Sequence, residues 1–204
     1  MQTNLAPTKG NLMMAKNTLR LSKQGYEMLD KKRNILIREM MQLIEEAKDV
    51  EAKIEETFKS AYKSLERASI IMGMYNVEDF ASSAPIENGV EVDLRSVMGV
   101  EIPIIRLEKT ETIRPIYSFF SSGTFLDEAV LNFNAVKQLT VRLAEIENSI
   151  YRLAMNIKKT QKRANALENI TIPNYEVLTK SITNSLEEKD REEHSRLKII
   201  KTTK

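Results

Sequence analysis

The 204-residue chain contains no cysteine, no tryptophan and a single histidine, and only 6% of its residues are aromatic. Without cysteine, disulfides, thiolate metal sites and thiol nucleophiles are all excluded, which fits a reducing compartment. The lone His194 lies among charged residues with no clustered acid or sulfur ligand, so it reads as part of a solvated face rather than a metal or switch site. Neither GxxxxGK[ST] nor GxGxxG occurs, which removes the usual phosphate cradles. Carboxylate pairs such as Glu45/Glu46, Glu55/Glu56 and Glu192/Glu193 are adjacent in sequence. On a helix such neighbours point about 100° apart and do not share a site. No catalytic residue, cofactor or metal ligand is assigned. No apolar run approaches the ~18 residues needed to cross a bilayer, and Met1 to Gly10 is too polar for a secretory core. The expectation is a soluble, cytoplasmic protein whose membrane association runs through a partner. A formal net charge of +2 gives no bulk attraction to nucleic acid or lipid.

What the chain has in quantity is a seven-residue repeat. Leu12, Leu19, Tyr26, Met40, Ala47, Ile54 and Ala61 share one heptad position, and Ala15, Leu29, Leu36, Leu43 and Val50 lie three residues further on. This is the a/d seam of a helix that buries one narrow stripe against a partner helix. Thr8 can cap it and Pro7 fixes its entry, after a flexible end at Met1 to Ala6. Arg33 at an a position and Ser22 at a d position are polar; they either fix register or mark drift of the stripe. A helix over residues 8–72 would be on the order of 90 Å long, far longer than a compact core requires.

The pattern fades near Gly73, and Ser82, Ser83, Pro85, Asn88 and Gly89 mark a loop. Alternation then replaces the heptad. Val90, Val92 and Leu94, a Met98-Gly99 turn, and Val100, Ile102 and Ile104 predict a β-hairpin over about 91–107, with Pro103 confining the second strand to an edge role. A lone hairpin is marginal in water, so it should lean on the helices. The connection from Glu108 to Gly123 is irregular and contains Pro115, and its Tyr117, Phe119 and Phe120 are expected to pack the head over 73–123. Thr124 to Asp127 is a capping-box signature for a second long helix over 124–172. Its a positions are Ala129, Val136, Leu143, Ile150, Ile157 and Ala164, and its d positions Leu139, Ile146, Leu153 and Leu167. Pro173 interrupts by kink or short break, and a C-terminal helical extension follows over 173–200. The expected fold is all-α, a long antiparallel two-helix coiled coil in one elongated domain, with a small β-hairpin-containing head between the two long helices. Counting outward from the head places Ile172 beside Met28.

Charge is distributed unevenly. Lys9, Lys16, Arg20, Lys23, Lys31, Lys32, Arg33 and Arg38 make the first half of helix one basic, and Lys158, Lys159, Lys162 and Arg163 form a second cluster. The same count places that cluster beside residues 37–42, merging the two into a positive collar. The collar reads either as two solvated helix faces or as a contact zone for acidic protein surfaces; no recognition motif or aromatic interleaving points to nucleic acid. Arg191 and Arg196, spaced i, i+4 from Glu187 and Glu192, support the last helix and are further candidate contacts.

These residues carry a family resemblance. Pro7-Thr8-Lys9, Gly25-Tyr26-Glu27-Met28-Leu29 with Lys31-Lys32-Arg33, the stretch Lys159-Thr160-Gln161-Lys162-Arg163-Ala164-Asn165-Ala166-Leu167-Glu168, then Ile172-Pro173 and Leu186-Glu187-Glu188 to Arg196-Leu197-Lys198 resemble the D subunits of V-type and A-type rotary ATPases. The order and spacing cover essentially the whole chain. The stretch around Asn165 is the most specific, which makes Asn165 a candidate contact, although Gln161 and Lys162 stand in a run that is usually Arg-rich. The resemblance implies a non-catalytic central axle, the rotor of the central stalk, inside a hexamer of A and B subunits. It implies that an F subunit binds its side and that an adaptor of the C/d type seats it on the membrane rotor ring. The axle would couple ATP hydrolysis or synthesis to ion translocation, cytoplasmic and peripheral to the membrane. The competing reading is a coiled-coil stalk or scaffold of another system, such as an export apparatus.

Overall fold

The computed structural model describes residues 6–83, 89–107 and 123–202. The expectations for Pro85, Asn88, Pro115, Tyr117, Phe119, Phe120 and the extreme termini lie outside the described residues. The order is α1 (Lys9–Met72), α2 (Met74–Ser82), β1 (Val90–Val97), β2 (Val100–Leu107), α3 (Thr124–Ala166), a π-helical turn (Leu167–Thr171) and α4 (Ile172–Thr202). The fold is all-α with one two-stranded antiparallel sheet. Contacts group the described residues into two units. One joins the residues up to Ile35 with those from Ile157 onward; the other is Leu36–Asn156.

α1 is unbroken for 64 residues. Thr8 caps it, its Oγ1 accepting the Asn11 N–H at 3.2 Å, which satisfies one of the donors a helix start leaves open. Gly73 ends it with φ +82°, a conformation that costs a glycine little. Helix α2 follows directly, an element the fading heptad concealed because none of its residues is buried. At the start of α3, Gly123 holds the cap position, its carbonyl accepting the Leu126 N–H at 2.9 Å, so Thr124 falls inside the first turn.

In the Leu36–Asn156 unit, α1 and α3 run antiparallel. Glu46 pairs with Arg142, Ser64 meets Asn132, and a side chain added at Gly123 would touch Met72 Sδ at 3.9 Å. The heptad seam is the core: Ala47, Val50 and Ile146 are buried with Leu43, Ile54, Leu143 and Ile150 packed around them. Further along, the buried residues of α1 shrink to Ala61, Ser64 and Ala68, while α3 contributes Leu126, Ala129 and Val136. The hydroxyl of Ser64 donates to its own helix's Ala61 carbonyl at 2.9 Å, and the Asn132 amide donates to Ser64 Oγ at 3.3 Å.

The hairpin pairs Val97 with Val100 across Met98 (φ 50°) and Gly99 (φ 75°). Two positive φ values in succession define the tight turn whose twist suits a hairpin. Pairs then alternate between bonded and non-bonded, so Glu101, Pro103 and Ile105 direct their backbone groups away from β1. Pro103, which has no N–H, therefore costs the ladder nothing. That outer edge of β2 faces α3: Ile105 N–H donates to Glu145 at 3.2 Å and Arg152 Nη1 to the Glu101 carbonyl at 3.1 Å. The hairpin thus lies along α3 between Glu145 and Asn156, with its Val100 and Ile102 buried, rather than projecting from the start of that helix.

In the other unit, α1 packs antiparallel to the end of α3, the π-turn and α4. Arg33 meets Gln161, a side chain on Gly25 would touch Leu167 at 3.7 Å, and Lys23 pairs with Glu176 at 2.6 Å. The expected register is therefore shifted: Ile172 lies level with the neighbourhood of Ser22, not Met28. A count outward from the loop takes a pivot between residues 75 and 125, whereas Met72 already meets Gly123. Nor does Pro173 break the helix. Ile172 N–H bonds to the Leu167 carbonyl, five residues back, and the widened turn accommodates the proline's missing donor and its ring. The extra residue is visible in burial: inward positions run Thr160, Ala164, Leu167, Thr171, Tyr175, Leu178 and Ile182, where one step of three has become four.

Candidate partner-binding surface

A helix pair presents its chemistry on outward faces, and the basic residues separate into distinct environments there. Lys9, Lys16, Arg20, Lys31, Lys158, Lys159, Lys162 and Arg163 are exposed and Lys32 is half-buried, all within one unit. Because Gln161 sits opposite Arg33, the Lys158 to Arg163 cluster lies level with Lys31, Lys32 and Arg33 instead of residues 37–42. Arg38 is exposed but belongs to the Leu36–Asn156 unit.

Arg33 differs from its neighbours. It holds its seam position, with Nη1 donating to Gln161 Oε1 at 2.7 Å and Nη2 bound to Asp30. Gln161 in turn donates to Asn165 Oδ1 at 2.7 Å, which fixes the amide of the most specific motif on an exposed face. Asn34 donates to Asp30 at 3.2 Å. One turn away, the Tyr26 hydroxyl donates to Glu168. The Glu168 charge, then partial burial, raises the phenol above its ordinary value of 10.0. Lys23 is committed to Glu176. Arg191 and Arg196 pair with Glu187 at 3.8 Å and Glu192 at 3.7 Å on the exposed end of α4, pairs worth little each in water.

A second polar network was hidden from sequence reasoning. Arg142 Nε donates to Glu46 Oε1 at 3.2 Å and its Nη1 to Glu145 Oε1 at 2.6 Å, while the other oxygen of Glu145 holds Ile105. The hydrogen bond to Glu46 is the chief reason the Arg142 guanidinium is raised further above its usual range. The signal available was only that Glu46, Arg142 and Glu145 flank seam positions; partner choice depended on the helix register. Among the described residues no group of acidic, His or Cys side chains could hold a metal, no buried polar side-chain atom lacks a partner, and no helix is long and apolar enough to cross a membrane. The hollow between the hairpin turn and Tyr151, Arg152, Met155 and Asn156 is an open depression.

The comparisons with known proteins agree along the whole length. The sequence model of the ATP synthase D-subunit family matches residues 11–202. The D subunit of the V-type ATP synthase of Thermotoga neapolitana is 46% identical over 97% of this chain and 97% of its own. The D subunits of the A-type ATP synthases of Thermococcus kodakarensis and Pyrococcus horikoshii are 37% and 33% identical over 97% of this chain and 94% and 93% of theirs. The chain is a member of the ATP synthase D-subunit family.

Proposed function

We propose that this chain is the non-catalytic rotor axle of a V/A-type rotary ATPase, working in the cytoplasm at the membrane surface. It couples ATP hydrolysis or synthesis in a hexamer of A and B subunits to ion movement through a membrane ring, with an F subunit on its side and an adaptor below. The observation that carries this reading is the combination of family membership over residues 11–202 with helices that bury a heptad seam and carry unlike surfaces on their outward faces. A shaft that presents different sides to three equivalent sites biases them unequally, which is coupling through differential contacts. The exposed lysines around residues 31–32 and 158–162 suit sliding contact with acidic loops, because a solvated charge attracts without locking.

The test is reconstitution with A, B and F subunits and single-molecule rotation. A bead fixed to this chain should turn on ATP addition. Replacing Lys31, Lys32, Lys158 and Lys162 by Gln, which spares the internally bound Arg33, should lower torque or loosen ATPase coupling. A chain that does not assemble with the hexamer, or that stays still while ATP is consumed, would refute the axle reading. Unchanged torque in the lysine variant would refute the role of the collar.

A further inference from the structure

The two long edges of the hairpin differ in how they are covered. On β2 the outward backbone groups belong to Glu101, Pro103 and Ile105. There α3 meets them through Arg152 and Glu145, and Pro103 has no N–H to offer. On β1 the outward groups belong to the residues opposite, Ser96, Leu94 and Val92. Among the described residues nothing bonds to them on that side. β1 is exposed from Val90 to Ser96, and Val92 and Leu94 are 60% and 59% exposed. A bare edge is a template for another strand, and proteins block it with proline, lysine, a bulge or a covering element. β1 has no proline and no lysine, and its pairing with β2 runs without a bulge. Its charged residues, Glu91, Asp93 and Arg95, share one face, two acids followed by a base.

We propose that β1 pairs with β1 of a second copy of this chain, antiparallel and centred on Leu94, joining two hairpins into one four-stranded sheet. The pairing concerns the chain outside an assembled complex and does not depend on the axle reading. Charge selects the register. Centred on Leu94, the Asp93 of each copy stands opposite the Arg95 of the other, Val92 stands opposite Ser96, and no like charges meet. Centred one residue earlier, Asp93 faces Asp93; two residues earlier, Glu91 faces Asp93. Facing opposite charges stabilise a strand pair and facing like charges destabilise it. The same pattern favours a second copy over a foreign strand, because β1 supplies its own complement. Arg95 has no ion pair among the described residues. Asp93 is held by Arg106 at 3.2 Å but stays half exposed, open to a second cation. Two short strands bury less than the roughly 800 Å² per partner of a stable interface. The pair is therefore weak, and it forms and dissolves with the supply of free chain.

Sedimentation velocity of the purified full chain, from dilute to concentrated solution, reads the pairing. The mass should climb from one chain toward two and stop there, because pairing consumes both free edges. Leu94→Pro removes an N–H that β2 does not use, so the hairpin keeps its ladder while the pair is lost. Arg95→Glu sets acid against acid at both crossings and should weaken association about tenfold. Adding Asp93→Arg to Arg95→Glu restores opposite charges and should recover most of the loss. The chain has no cysteine of its own, so Leu94→Cys should crosslink to its copy on oxidation, and faster than Asp93→Cys. A monomer at every concentration would overturn the proposal. So would a dimer that survives Leu94→Pro, a mass that keeps growing past two chains, or faster crosslinking at Asp93→Cys. Amide exchange on β2 shows whether the hairpin stays folded in Leu94→Pro. If it does not, the two charge variants decide alone, and affinity equal to that of the unaltered chain in both would overturn the pairing.

Discussion

Arg33 Nη1 donates a 2.7 Å hydrogen bond to Gln161 Oε1, a residue 128 positions away in the chain. The bond crosses from α1 to α3 in a seam whose other polar members, Ser22 and Thr160, are small hydroxyl residues. Sliding α3 by a heptad would set Ala154 or Glu168 opposite Arg33; the first cannot accept, and the second would be drawn away from Tyr26. Arg33→Ala should cost about 1–2 kcal/mol, because Gln161 and Asp30 lose their donor. Replacing Arg33 by Met and Gln161 by Leu together should be neutral or stabilising, by up to about 1–4 kcal/mol. Urea unfolding of the two singles and the double measures this, and a double that loses more than the singles combined would contradict it.

Glu145 serves two partners, Arg142 on its own helix and the Ile105 N–H of β2. Its side chain is only 13% exposed, so removing it strands a backbone donor and half of a guanidinium. Glu145→Ala should release the hairpin from α3, costing about 1–3 kcal/mol and raising amide exchange at Ile105 and its neighbours on β2. Lys59→Ala, which breaks only the exposed pair with Glu55, should leave the unfolding midpoint nearly unchanged.

The π-turn and Pro173 explain each other. Deleting Ile170, which is exposed, would return the turn to α geometry while keeping Tyr175, Leu178 and Ile182 inward. It would also force the proline into a regular helix, at a cost of about 3 kcal/mol. Deleting Ile170 and replacing Pro173 with Ala together should recover most of that loss. Thermal unfolding of the two variants decides the matter: a deletion that is harmless with the proline present would separate the two features.

Tyr26 gives the chain a dependence on alkaline pH. Its folded-state pKa lies above the ordinary 10.0, chiefly because ionisation would set a phenolate beside the Glu168 carboxylate. A raised folded pKa means that the stabilisation is complete below the unfolded value and is lost as pH climbs through the folded one. The chain should therefore lose stability above pH 10 more steeply than its Tyr26→Phe variant. Parallel pH titrations of the unfolding midpoint would show the two curves converging in that range.

Much of the architecture could be read before any coordinates. Leu36, Ile146 and Leu153, on heptad positions, are the largest fully buried side chains, and Met98-Gly99 turns the hairpin where alternation predicts. Both signals are local and periodic, so a single chain displays them. The rest depended on distance. α2 buries nothing, so it has no periodic signature. The register slipped by about one to two turns because a count from the loop cannot see where Met72 and Gly123 meet. The hairpin's place along α3 follows from Glu145 and Arg152, whose partners lie 40 and 51 positions away. Among the basic residues, sequence could not tell Arg33, which is spoken for inside the fold, from the exposed Lys31.

The narrowing of the seam from Val50 and Ile146 to Ala61, Ser64 and Ala68 has a consequence in time rather than in place. Alanine and serine remove little apolar surface from water, so α1 adds little burial there and the contact rests on Leu126 and Val136 of α3, the Tyr62–Phe133 ring pair and Asn132. Local opening begins where burial is thinnest. Amides near Ala61 and Ala68 should exchange with solvent through brief separations of α1 from α3, long before those near Val50 do. Within one unbroken helix, one part of this unit breathes while the other keeps its grip.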